Sequence, residues 1–151
     1  MAKNIPLIVF QVAELTFGVP AEIVQQMEMI EQVTRVPNAP NFVDGVVYLR
    51  GQVIPVINLR RRFGMKPIPY DLHSRLIVVN LAGRLVGLAV DSAREYLAVS
   101  EDQILPPPAQ LGDESLTIIQ GMISQPNRLI IILDVSQVLS AAAHEPLNLT
   151  V

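Results

Sequence analysis

The chain has 151 residues, half of them hydrophobic and only 17% charged, which suffices for one domain or two small subdomains on a common core and leaves apolar surface for a partner. A net charge of −3 argues against a nucleic-acid surface for the chain as a whole. With no cysteine, disulfides, thiolate metal sites and cysteine nucleophiles are excluded.

The opening run, MAKNIPLIVFQV, is too short in apolar residues for a secretory signal. No later run approaches the roughly 18 residues of a membrane-spanning helix. A cytoplasmic location without membrane insertion is therefore expected. Pro6–Val12 is predicted as a strand, Ala13-Glu14 as a turn and Leu15–Val19 as a second strand. Pro20, Ala21 and Glu22 carry helix-start signals, proline at a first position and glutamate in the first turn. They predict one or two helical turns through Met27, with Ile23, Met27 and Ile30 on a core face. Gln32–Val36 alternates like a half-buried strand, and the two prolines of Pro37–Asn41 impose a loop.

The chain is organised around VDGVVYLRGQVIPVINLRRRFG, Val43 to Gly64. Two β-rich runs flank Arg50, Gly51 and Gln52. Gly51 takes a positive φ without a steric cost, so a tight hairpin is cheap here. Arg50 is then a cation held at a rigid rim. Arg60, Arg61 and Arg62 follow on a short helix (Asn58–Phe63) and read as a solvated face. Lys66–Ser74 is a proline-bearing connector and the best subdomain boundary. The division expected is a first subdomain of mainly residues 15–66 with part of the C-terminal segment, and a second of mainly 74–133.

Beyond it, Arg75–Leu81 and Arg84–Val90 form a hairpin about Ala82-Gly83, and Asp91–Ala93 breaks the run. Arg94–Val99 is a further strand, and Ser100–Gln103 a capped turn. Pro106–Asp113 reads as a long mobile loop. Leu116–Ser124 is a strand with a bulge at Gly121, and Leu129–Leu133 pairs back on it. Asp134 caps a closing helix through Ala143, with a frayed tail after it. Many short strands with turn signals between them suggest small barrels or a sandwich, not a parallel α/β sheet. The halves look alike in outline, each with hairpins and a short helix after an apolar strand, but no sequence repeat proves a duplication.

Catalytic patterns are sparse. His73 and His144 lack partners at metal-ligand spacing. Phosphate-cradling glycine motifs and the GxSxG elbow are absent. Asp91 and Asp134 each follow an apolar strand, where a carboxylate either caps the next turn or acts as an acid or base. The first role is expected. A small enzyme built on one of them is the remote alternative.

The segments FGVPAEIVQQ, VTRVPNAPNFVDGVVYLRGQVIPVINLRRRFG and RLIVVNLAGRLVGLAVDSAREYLAV, with the apolar hairpin before DVSQVL, resemble the CheW-like chemotaxis coupling proteins. The resemblance runs from about Leu7 to Leu139, and its most specific part is Leu49–Arg60. It implies a mainly β fold of two small SH3-like five-stranded barrels on a shared hydrophobic core, forming one CheW-like domain over residues 1–151. It implies no enzymatic activity and no cofactor. The partners it implies are the cytoplasmic hairpin tip of a chemoreceptor and the regulatory domain of the CheA histidine kinase. The family's partner-binding positions map onto Arg50, Gly51, Val24 and Gln26. Many relatives carry Glu where this chain has Gln26. A type IV pilus twitching or phototaxis array is the alternative setting.

Overall fold

The computed structural model describes residues 2–140. Ten strands carry the fold: β1 (Asn4–Val12), β2 (Leu15–Pro20), β3 (Val24–Met29), β4 (Val43–Leu49), β5 (Gln52–Asn58), β6 (Arg75–Leu81), β7 (Arg84–Val90), β8 (Ser92–Ser100), β9 (Ile119–Gln125) and β10 (Arg128–Leu133). Three short helices accompany them: α1 (Leu59–Arg62), α2 (Asp113–Ile118) and α3 (Val135–Val138). The strands make two five-stranded sheets, ordered β8-β1-β2-β10-β9 and β3-β6-β7-β5-β4. The expected mainly β, two-barrel fold with short helices is the observed one.

The two sheets repeat one plan. Each has an antiparallel hairpin at its centre, β1–β2 or β6–β7. Each adds a parallel strand to that hairpin, β10 on β2 and β5 on β7. The parallel strand belongs to a second hairpin, β9–β10 or β4–β5, and a lone strand, β8 or β3, covers the other edge. An isolated bridge recurs at the same place, Thr34 to Val46 and Leu105 to Met122. Each parallel strand runs into a helix capped by a side chain, Asn58 before α1 and Asp134 before α3. The likeness of the halves is thus an internal repeat of topology, although the sequence shows none.

The expected subdomain boundaries do not hold. One sheet joins β1 and β2 to β8, β9 and β10, and the other takes β3 to β7. Lys66–Ser74 lies inside the run of chain that forms the β3–β7 sheet, and the crossing points are β2 to β3 and β7 to β8. Hairpin patterns reveal only neighbours in sequence, whereas the parallel pairs join segments far apart.

Both faces of the central strands are buried, which explains their unbroken hydrophobic runs. Leu76, Val78, Val47, Ile54 and Val56 fill the interior of one barrel, and Leu7, Val9, Ile123, Ile130 and Ile132 fill the other. Alternate residues of the same strands, among them Ile77, Val79, Leu88, Phe17 and Val19, meet between the barrels with Leu59 and Phe63. Phe17 stacks on Phe10 at 5.8 Å and on Phe63 at 5.2 Å, so the aromatic centre of the shared core joins both barrels.

Several local expectations are corrected. The helix through Met27 is one 3-10 turn, Ala21–Ile23, followed by β3, because pairing with β6 overrides the N-terminal helix signals. Met27 is accordingly exposed, not core. Gln32–Val36 contributes only the bridge at Thr34. The expected loop Pro106–Asp113 contains a 3-10 turn, Ala109–Leu111, and α2 takes the start of the expected strand Leu116–Ser124, so that β9 begins at Ile119. The closing helix ends at Val138, and the tail, His144 included, lies outside the described residues.

Candidate partner-binding site at the hairpin turn

The β4–β5 hairpin turns on Arg50 and Gly51, both with positive φ, at 50° and 82°. That is the combination whose twist matches the strands it joins. An added Cβ at Gly51 would meet nothing within 4 Å, so glycine is required there by conformation and not by space. Arg50 is a non-glycine residue in the left-handed region, and the turn throws its side chain outward, 78% exposed.

Its nearest charge comes from β3. Glu28 Oε1 lies 3.6 Å from Arg50 Nη2, beyond hydrogen-bond length, and accepts a 3.2 Å bond from Gln26 Nε2. Strand periodicity puts residues 26 and 28 on one face. Arg50 and Gln26, both expected at the site, are thus brought together through Glu28, which the sequence reading missed. Its signal was the period of β3, hidden by the helix expected there. Val24 is half-buried and packs against the shared core, apart from this network.

The surroundings combine exposed apolar side chains with polar ones. Tyr48 and Val53 form a cross-strand pair beside the turn, 72% and 65% exposed. A groove of about 470 Å³ opens alongside, lined by Glu28, Met29, Thr34, Tyr48 and Leu49 among others. A cation over an exposed apolar rim can anchor a partner by one charged contact and apolar burial.

The second barrel holds a related pair in a different state. Arg128, the first residue after the β9–β10 turn, closes a two-bond fork on Glu95 of β8, with Nη1 to Oε1 at 2.8 Å and Nη2 to Oε2 at 2.6 Å. Gln125 adds an acceptor to Arg128 Nε at 2.7 Å. The hydrogen bonds from Arg128 lower the Glu95 pKa below its ordinary value, and those to Glu95 raise that of Arg128. Glu95 opposes Val9 and Gln26 opposes Val78, which are matching places in the two sheets. The edge carboxylate of one barrel is therefore an amide in the other.

The arginines of α1 are not a solvated face. Arg60 forks onto Asp91, with Nη2 to Oδ2 at 2.6 Å, and bonds the Lys66 carbonyl at 3.0 Å. Asp91 Oδ2 also accepts from the Ala13 amide at 2.7 Å, tying α1 to the β1–β2 turn of the other barrel. Arg61 pairs with Asp44 at 3.4 Å. The Tyr70 hydroxyl donates to the same carboxylate, and burial followed by that bond raises the phenol pKa. Arg62 is buried, bonds the Val138 carbonyl at 2.6 Å and lies over the Phe42 ring. These side chains are structural because the short helix packs between the barrels, a placement its sequence does not reveal.

Asp134 accepts from the Ser136 hydroxyl at 2.6 Å and the Gln137 amide at 3.4 Å. Asp134 thus takes the helix-capping role expected, whereas Asp91 bonds Arg60 and the Ala13 amide of a distant turn instead of capping the turn that follows it. His73 Nδ1 lies 3.0 Å from Arg94 Nη2. Among the described residues no cluster of three or more His, Asp or Glu is placed to hold a metal, and no helix is long and apolar enough to cross a membrane.

Two interlocked five-stranded barrels, one presenting an arginine on a hairpin turn beside apolar surface, define a small β scaffold of the protein-binding kind. The chain belongs to the CheW-like family, whose CheW-like domain model matches residues 6–143. It is 34% identical over 137 residues to the chemotaxis protein CheW of Klebsiella aerogenes, covering 89% of this chain and 81% of that protein. It is 33% identical over 132 residues to CheW of Helicobacter pylori, with 86% and 78% covered. Protein FrzA of Myxococcus xanthus is 30% identical over 114 residues, with 76% and 71% covered. The crystal structure of the scaffolding protein TtCheW from Thermoanaerobacter tengcongensis matches with a TM-score of 0.80 at 31% identity, over 87% of this chain and 90% of that one.

Proposed function

We propose that this protein is a cytoplasmic coupling adaptor, without catalysis or cofactor, that bridges a chemoreceptor hairpin tip and the regulatory domain of a CheA-type histidine kinase. The observation that carries this reading is Arg50, exposed on a rigid turn beside the exposed apolar pair Tyr48 and Val53 and a groove of mixed lining, in a chain of the CheW-like family. A receptor tip is a pair of helices, and an amphipathic helix docks by laying its apolar side on such a surface. Arginine adds a bidentate anchor that lysine would not. Gly51 sets the turn that aims it. Gln26 acts through Glu28, and Val24 supports β3 from below.

The test is a pull-down against the regulatory domain of the CheA-type kinase from the same genome, with and without a receptor-tip fragment. The full chain is expected to retain both. Arg50→Ala is expected to keep its thermal midpoint and to weaken binding by about tenfold or more, the effect of truncating an anchor residue. Binding to neither partner at tens of micromolar removes the adaptor reading. The receptor fragment retained would distinguish a twitching or phototaxis array from a flagellar one.

A further inference from the structure

We propose that Arg50 is an open clamp for a carboxylate of the partner, and that Glu28 is the residue that tunes it by competing for the same guanidinium. The inference rests on the adaptor reading and adds the chemistry of the contact. Its basis is the comparison that the repeated topology allows within one molecule.

In the second barrel the guanidinium next to the hairpin turn is satisfied internally. Glu95 reaches across from the edge strand and closes both oxygens on Arg128, leaving that arginine 29% exposed. In the first barrel the matching edge position holds Gln26, whose amide donates to Glu28 and brings no charge of its own. Glu28 stands one position further along that face, and its near oxygen stays 3.6 Å from Arg50, outside hydrogen-bond length. Arg50 therefore sits in the field of a carboxylate without closing a fork on it.

An exposed pair at this separation is weak. A partner carboxylate that closes two bonds on Arg50 gains the geometry Arg128 has with Glu95, and disrupts only that long contact. Glu28 stays bonded to Gln26. The incoming carboxylate then lies close to Glu28, and the two negative charges repel. The sign of the effect follows: Arg50 promotes binding and Glu28 restrains it. Tyr48 and Val53 supply the apolar contact beside the fork, so the partner segment has an acidic residue flanked by apolar ones.

The experiment uses the full chain and the kinase regulatory domain or receptor-tip fragment that the wild-type protein retains, titrated by calorimetry at low and at 0.5 M salt. Glu28→Gln is expected to tighten binding about two- to fivefold at low salt, with the gain lost at high salt. Gln26→Glu, which puts a carboxylate where the second barrel has one, is expected to weaken binding several-fold. Arg50→Ala weakens it most, and in that background Glu28→Gln changes nothing further. Weaker binding by Glu28→Gln would mean that Glu28 merely braces the turn, and unchanged binding that the acceptor is uncharged. Either overturns the proposal and leaves the adaptor reading standing. Failure of the wild-type chain to bind either probe overturns both.

Discussion

Between β8 and the start of β10, Glu95 receives two guanidinium bonds from Arg128 while its side chain stays 37% exposed. Those bonds lower its pKa from the ordinary 4.5. A depressed carboxylate contributes stability that is fully present above its unfolded pKa and is lost as pH falls through its folded one. Solvent screening at this exposure holds the contribution to about 1 kcal/mol or less. Glu95→Gln is therefore expected to lower the urea midpoint slightly at pH 7, with the difference from wild type closing as the pH drops below 4.5. A difference that persists unchanged at pH 3 would show that Glu95 acts through packing and not through its charge.

At the scale of elements, the hairpins were legible because their signals are local. The turn at Arg50-Gly51, the pair around Ala82-Gly83 and the side-chain cap at Asp134 all rest on residues within a few positions of one another. β3 was not legible, because its identity depends on β6, some fifty residues away in sequence, and its own start carries helix signals. The cost of that error was Glu28. The roles of Arg60 and Arg62 were hidden for the same reason, since their partners Asp91 and Val138 lie on distant segments. Matching glycines of β4 and β9 show how equivalent elements differ. A Cβ on Gly45, at φ 146°, would stand 2.0 Å from the Thr34 carbonyl oxygen, a backbone atom fixed by the bridge to Val46. A Cβ on Gly121 would meet Ile104 Cγ2 at 2.4 Å, a side-chain methyl that a change of χ1 displaces, and a backbone oxygen, that of Leu105, only at 3.3 Å. Gly45→Ala is expected to cost about 3 kcal/mol and Gly121→Ala clearly less, because overpacking is relieved where the neighbour can move. Urea unfolding of the two variants measures the contrast, and equal losses would remove the explanation.

The whole molecule is two copies of one topology that do not divide the chain in two. The sheet of β3 to β7 is continuous in sequence, whereas the other is assembled from both ends of the chain. Neither is complete by burial alone. Ile77, Val79, Leu88, Leu59 and Phe63 of one barrel lie fully buried against Phe10, Phe17 and Val19 of the other. Freeing either barrel would expose that face, at roughly 25 cal/mol for each Å² of apolar surface returned to water. The fork from Arg60 to Asp91, with its bond onward to the Ala13 amide, fastens the same boundary with polar groups. Such a core couples the barrels, and a chain of this size is expected to unfold in one step. Equilibrium urea transitions read by far-ultraviolet circular dichroism, and by amide exchange at β6 and at β10, should therefore coincide. A fragment spanning β3 to β7 should fail to show a cooperative transition, even though it holds every strand of its sheet. Separate midpoints for the two barrels, or a folded fragment, would mean that the shared core is an interface between independent units. The partner would then act on their relative placement, and not on one rigid frame.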